Sequence, residues 1–194
     1  MEAGRKARIA PGDRRQIGLL NYGLAKLAGL AAGGQPPHVF TTLARNRKLF
    51  RRWLWFAGGL MPGGKLPRRD TELVILRVAH NSDCDYERHH HEQLGRRAGL
   101  SAEEIARVGE GSEAAGWSPR QARLLRAADE LHADGRIGDA LWAGLSAELD
   151  DRLLIELCLL IGHYEMLAMT LNTLRVQPDP APIGRRLPRW LSKA

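Results

Sequence analysis

Between residues 14 and 174 the apolar side chains of this chain recur at three- and four-residue intervals. No stretch alternates with period two for long enough to make a strand. That pattern restricts the chain to an all-α fold. Helix starts are signalled by Asp13, Asp83, Ser101 and Ser118, and stops by Gly33-Gly34, Pro62-Gly63-Gly64, Gly99 and Gly135. These signals predict about eight helices. The second, over 38–61, should face the core with Val39, Leu43, Leu49, Trp53 and Phe56. The third opens at Leu66-Pro67 and ends near His80, and the fourth follows a turn at Asn81, Ser82 and Asp83, with Asp83 as its cap. The sixth, from Pro119, carries Leu124, Leu125, Ala128 and Leu131. The eighth, from Asp150 to Leu174, is apolar nearly all round, which predicts a central position or a subunit interface.

Residues 1–36 read as an N-terminal helix and linker. Residues 177–194 are rich in proline and read as an arm anchored by Trp190 and Leu191, or as a frayed end. The length of 194 residues suits one domain with such extensions. The net charge of +7 lies in short clusters without interleaved aromatics, a pattern that argues against a nucleic-acid partner and suits attraction of small anions. No apolar run reads as long and uninterrupted enough to span a membrane, and the basic N-terminus lacks the apolar centre of a signal peptide, so a cytoplasmic location is expected. Cys84 and Cys158 stand far apart and imply no disulfide framework. Cys158, inside LLIELCLLIGHY, reads as a small buried apolar side chain.

The chemistry concentrates in ELVILRVAHNSDCDYERHHH, residues 72–91. On a helix Cys84, Glu87 and His91 fall at i, i+3 and i+7 and share one face, which Leu94 and Ala98 continue. Asp85, Arg88, His89, Glu92 and Arg96 take the opposite face, so the reactive stripe points inward. Glu72 sits among Leu73, Val74, Ile75 and Leu76, where a carboxylate is either neutral or ionised against a cation. A tight hairpin of the third and fourth helices brings it to His91, and a Glu–His pair orients an imidazole as a base. Glu87, one turn from His91, is a second proton-transfer group. Tyr86 is a donor to a developing oxyanion. Cys84 stands at a helix start, where backbone amides favour a thiolate. His163 and Tyr164 in the last helix are candidates to touch substrate. Three consecutive histidines, His89 to His91, cannot all ligate one metal, since neighbours on a helix point about 100 degrees apart. His89 is expected to face solvent, and no metal or cofactor is expected.

The spacing of Glu72, Cys84, Glu87 and His91 resembles the carboxymuconolactone decarboxylase family, which includes the alkylhydroperoxidase D-like proteins. FTTLARNRKLFRRWLWFAGGLMPGGKLPRRDTELVILRVA and GHYEMLAMTLNTLRV also resemble segments of that family, so the likeness covers roughly residues 37–176. It implies an alkylhydroperoxidase D-like helical domain that assembles as a trimer or hexamer. By this resemblance Glu72 matches the glutamate that holds the relay histidine, His91 that histidine, and Cys84 the first cysteine of a C-x-x-C pair. Tyr86 stands where the peroxidases keep another relay histidine. Glu87 stands in place of the second cysteine, and a dithiol cycle needs two thiols. The resemblance therefore implies the decarboxylase branch: acid–base chemistry on a small anionic organic substrate, of the decarboxylation or lactone-isomerisation type. A peroxidase using Cys84 alone is the alternative. A non-catalytic ligand-binding oligomer, in which Glu72 and His91 merely lock two helices, is a third.

Overall fold

The computed structural model describes residues 6–32 and 35–179, and among them every regular element is helical. They divide into two compact units, one made of residues up to Ala57 with those from Thr173 onward, the other of Gly58–Asn172.

In the first unit Asp13 caps α1 (Arg14–Ile17) through a capping box with Gln16, as its sequence position predicts. The single long helix expected after it is instead two. Gly18, at φ +81°, ends α1, and α2 (Leu19–Ala32) begins again. The stop expected at Gly33-Gly34 lies outside the described residues. The second predicted helix is likewise split, into α3 (His38–Leu43) and α4 (Arg47–Leu60). The break at residues 44–46 resets the helical phase. Phe50, not Leu49, therefore joins Ile17 and Ala44 in the core, and Leu49 and Phe56 are exposed where burial was expected. Phe40, Phe50 and Trp53 pack with centroids about 6 Å apart, a tilted and edge-on trio. Proline at the N-cap of α3 offers no side-chain cap, and Asp179 supplies one by accepting from the His38 amide at 2.8 Å. The first residues of the proline-rich segment thus lie against α3, while Trp190 and Leu191 lie outside the described residues.

The second unit is built on α5 (Arg68–Asn81). Leu73 to Ile75, Val78 and Ala79 have no exposed surface, so α5, rather than the last helix, is the element enclosed on every side. It packs against α6 (Asp85–Arg97) and α8 (Pro119–Asp134). Ser101 and Ser118 close capping boxes at the starts of α7 (Ala102–Arg107) and α8, and Gly135 ends α8 in the left-handed conformation. A 3-10 turn (Val108–Glu110) and α9 (Asp139–Ser146) complete the frame. The last helix, α10 (Asp151–Leu174), buries Leu157, Leu160, Ile161, Ala168 and Leu171 but exposes Ile155, Leu159, Met166 and Met169. By length and composition it is long and apolar enough to cross a bilayer, contrary to the sequence reading. Its carboxylates point the other way. Glu156 accepts from the amides of Lys65 and Leu66 at 2.8–2.9 Å, and Glu165 accepts from Ser82, the use expected of a core helix.

The turn joining α5 to α6 sets the site. Asp83 adopts φ +46°, and the Cys84 amide donates back to the Ala79 carbonyl at 2.8 Å. This is a left-handed closure of α5, which a short polar side chain tolerates. The expected cap at Asp83 therefore shifts by one residue, and Cys84 occupies the N-cap of α6. Asn172 of α10 donates to the Ser82 carbonyl at 2.8 Å and pins the turn.

Candidate active site

The hairpin places Glu72 and His91 face to face. Glu72 has no exposed surface, and its Oε2 lies 2.7 Å from His91 Nδ1. With the Arg68 guanidinium 2.8 Å from Oε1, Glu72 acts as the acceptor, and Nδ1 is assigned as the donor that carries the ring proton. The lone pair of His91 is then on Nε2. Arg68 was not foreseen, although its i, i+4 spacing from Glu72 is a signal the sequence holds. Its contact is an ion pair off the hydrogen-bonding line, since Glu72 Oε1 meets no aligned donor.

Glu87, on the same stripe of α6, is 2 % exposed, and neither of its carboxyl oxygens meets a hydrogen-bond partner. Burial, and secondarily the charge of Glu165, hold its pKa well above the ordinary carboxyl value. Burial therefore favours the protonated form of Glu87, a donor where its ionised form would only accept. Cys84 is fully buried. The helix-start amides of Tyr86 and Glu87 pull its pKa down as expected, but burial and the Glu87 carboxylate outweigh them and push it up to about 12. The expected thiolate is corrected to a thiol.

Tyr164 stands edge-on to His91, centroids 5.1 Å apart, and its hydroxyl donates to Met61 Sδ at 3.7 Å. Burial first, and then Glu87 and Glu72, keep that hydroxyl protonated. His163 is 5 % exposed, and burial lowers its pKa to about 4, so it is a neutral imidazole beside Tyr164. Tyr86 is buried on a different stripe of α6, with its ring 4.4 Å from that of His90. The structure thus joins Glu72, His91 and Tyr164 directly, puts Cys84 and Glu87 on their stripe, and turns the Tyr86 ring toward His90. His89 departs from expectation: it is half-buried, and its Nε2 is shielded from solvent. Leu94 and Ala98 are half-buried too. Among the described residues no group of three or more His, Cys, Asp or Glu side chains is arranged to hold a metal ion.

A second polar chain also escaped the sequence reading. Glu165 takes the Ser82 hydroxyl at 2.9 Å and His132 Nδ1 at 2.8 Å, linking α10 and α8 to the hairpin turn. No spacing rule connects these three positions, so only the fold reveals them.

The fold recurs among known proteins. Residues 47–130 match the profile of the carboxymuconolactone decarboxylase family. The fold is shared with an uncharacterized peroxidase-related protein from Ralstonia eutropha JMP134, described as an alkylhydroperoxidase AhpD core. The TM-score is 0.79 at 19 % identity, over 91 % of this chain and 94 % of that one. It is shared with a putative antioxidant defence protein AhpD from Agrobacterium tumefaciens, at TM-score 0.64 and 19 % identity, over 69 % of this chain and 92 % of that one. The debrominase Bmp8 also superposes, at TM-score 0.76 and 13 % identity, over 90 % of this chain and 93 % of that one. No protein of curated function matches the chain.

Proposed function

We propose, for a chain whose residues 47–130 match the carboxymuconolactone decarboxylase family within an AhpD-like fold, an acid–base enzyme acting on a small organic acid. The supporting observation is the buried, oriented imidazole of His91, with a second buried carboxyl group, Glu87, one turn away on the same face of α6, whose pKa burial raises. An oriented imidazole and a carboxylic acid on one helix face are what proton transfer next to a carbonyl needs.

In an isomerisation, His91 Nε2 takes the proton from the carbon next to the carbonyl. The C–H electron pair moves into a C=C bond, and Glu87 gives its proton to the carbonyl oxygen. Return of a proton from the imidazolium to a different carbon, with Glu87 recovering its own, completes the turnover. In a decarboxylation the C–C bond breaks instead, its pair enters the same conjugated system, CO2 departs, and the carbon is reprotonated. Glu72 positions the imidazole, and Arg68, part-exposed, is the cation that draws a substrate carboxylate. Tyr164 and His163 wall the reacting region as neutral donors or acceptors. The substrate carboxylate is why a protein of net charge +7 suits this role.

The test is deuterium uptake. In D2O, a panel of keto acids and carboxylated lactones is followed by NMR for exchange at the carbon next to the carbonyl. Wild-type protein should catalyse exchange on at least one member, His91→Gln should lose roughly 10²-fold or more, and Cys84→Ser should keep most of it. Equal exchange by His91→Gln and wild type sinks the reading. Peroxide consumption abolished by Cys84→Ser would support the single-thiol peroxidase, against which the buried thiol with a pKa of about 12 argues.

The exposed stripe of α10, Ile155, Leu159, Met166 and Met169, supports association of copies of this chain. Light scattering should show an oligomer that Leu159→Glu with Met166→Glu converts to monomer.

A further inference from the structure

A cavity of about 310 Å³ opens on the side of α6 away from the reactive stripe. Its floor is apolar: Leu76 of α5, Ile105 and Ala106 of α7, and Val108 of the 3-10 turn. Arg88, Glu92 and Arg96, one turn apart along α6, form one wall, and His80 closes the end. The ring of His80 lies against Gly109, where an added Cβ would come 3.4 Å from the ring, so the residue without a side chain keeps that end open.

We propose that this groove binds a small amphiphilic carboxylate as a free molecule, with its apolar tail on Leu76, Ile105 and Val108 and its carboxylate between Arg88 and Arg96. Two guanidinium groups face one wall carboxylate, so the lining carries an excess positive charge. Arg88 is paired with Asp85, and Arg96 with Glu92 at 3.3 Å, but both are pairs within one helix at the surface. Such pairs are weak, and a bidentate ligand carboxylate competes with them. The local field agrees. Partial burial, then Arg77 and Arg88, lower the pKa of His80, with Asp129 and Asp83 opposing. His80 is therefore a neutral imidazole able to share a hydrogen bond with the ligand. The volume lies at the small end of ligand pockets, which fits a medium-chain acid. Leu76 is buried one turn along α5 from Glu72, so the floor of this groove belongs to the helix that carries the active-site carboxylate.

Isothermal titration of the full chain with octanoate, octan-1-ol and octylamine tests this. Octanoate should bind best and octylamine worst. Arg88→Gln with Arg96→Gln should weaken octanoate by about tenfold or more while leaving octanol unchanged. Ala106→Trp, at an exposed position, should fill the groove and weaken both. Three results overturn the proposal: no octanoate binding by wild type up to its solubility limit, an equal loss of octanol and octanoate in the arginine variant, or unaltered binding in Ala106→Trp.

Discussion

Replacing Glu87 by glutamine removes an acid whose protonated form burial favours, and the consequence is readable in stability against pH. The unfolded chain gives up this proton near the ordinary carboxyl value of 4.5, and the folded chain only well above it. Between those limits the folded state holds one more proton, so stability falls as pH rises, by about 1.4 kcal/mol per unit. His163 does the reverse. Its folded pKa of about 4 lies below the ordinary 6.5, so its contribution is complete above 6.5 and is lost as pH falls toward 4. From 4.5 to 6.5 the two slopes oppose and cancel, and above 6.5 that of Glu87 acts alone. Measured as the difference between Glu87→Gln and wild type by urea denaturation, the variant should gain stability relative to wild type as pH rises from 5.5 to 7, at a slope of up to about 1.4 kcal/mol per pH unit. Any pH-independent cost of the new amide shifts the curve without tilting it. Parallel curves over that interval would show that Glu87 ionises in the folded protein, and the proposed general acid would be gone.

His163→Gln should give the mirror image, losing less stability than wild type as pH falls from 6.5 to 4, again by denaturation. With a pKa of about 12, Cys84 is thiolate to roughly one part in 10⁴ at pH 8, so iodoacetamide should modify it roughly 10³-fold or more slowly than an exposed peptide thiol. Glu72→Leu alone should cost about 3–5 kcal/mol, because it strips His91 and Arg68 of their partner, whereas Glu72→Leu with His91→Phe should cost less. Glu156→Ala should cost about 1–3 kcal/mol, as the amides of Lys65 and Leu66 lose the carboxylate that satisfies them.

Caps and periodicity made most of the second unit legible. Ser101, Ser118 and Gly135 carry their own chemistry, and α7 and α8 start or stop where they stand. The first unit was harder. Gly18 and the break at residues 44–46 interrupt patterns that look continuous, and once the phase slips, Leu49 and Phe50 exchange roles. The pairing of Glu72 with His91 was legible because both lie on one hairpin with helical spacing on each side. Cys84 was misread because a helix start and burial act in opposite directions on a thiol, and spacing reports the first but not the depth of the second. Glu165, Ser82 and His132 meet from three separate segments, and no local pattern encodes that meeting.

Acid and imidazole are only 19 residues apart along the chain. Closing so short a span costs little entropy, so the aim of the imidazole is set within a single hairpin. It should survive dilution, changes of neighbour and rearrangement of remote segments. The residues that α10 and the loops bring up are then free to change around an imidazole whose orientation stays the same.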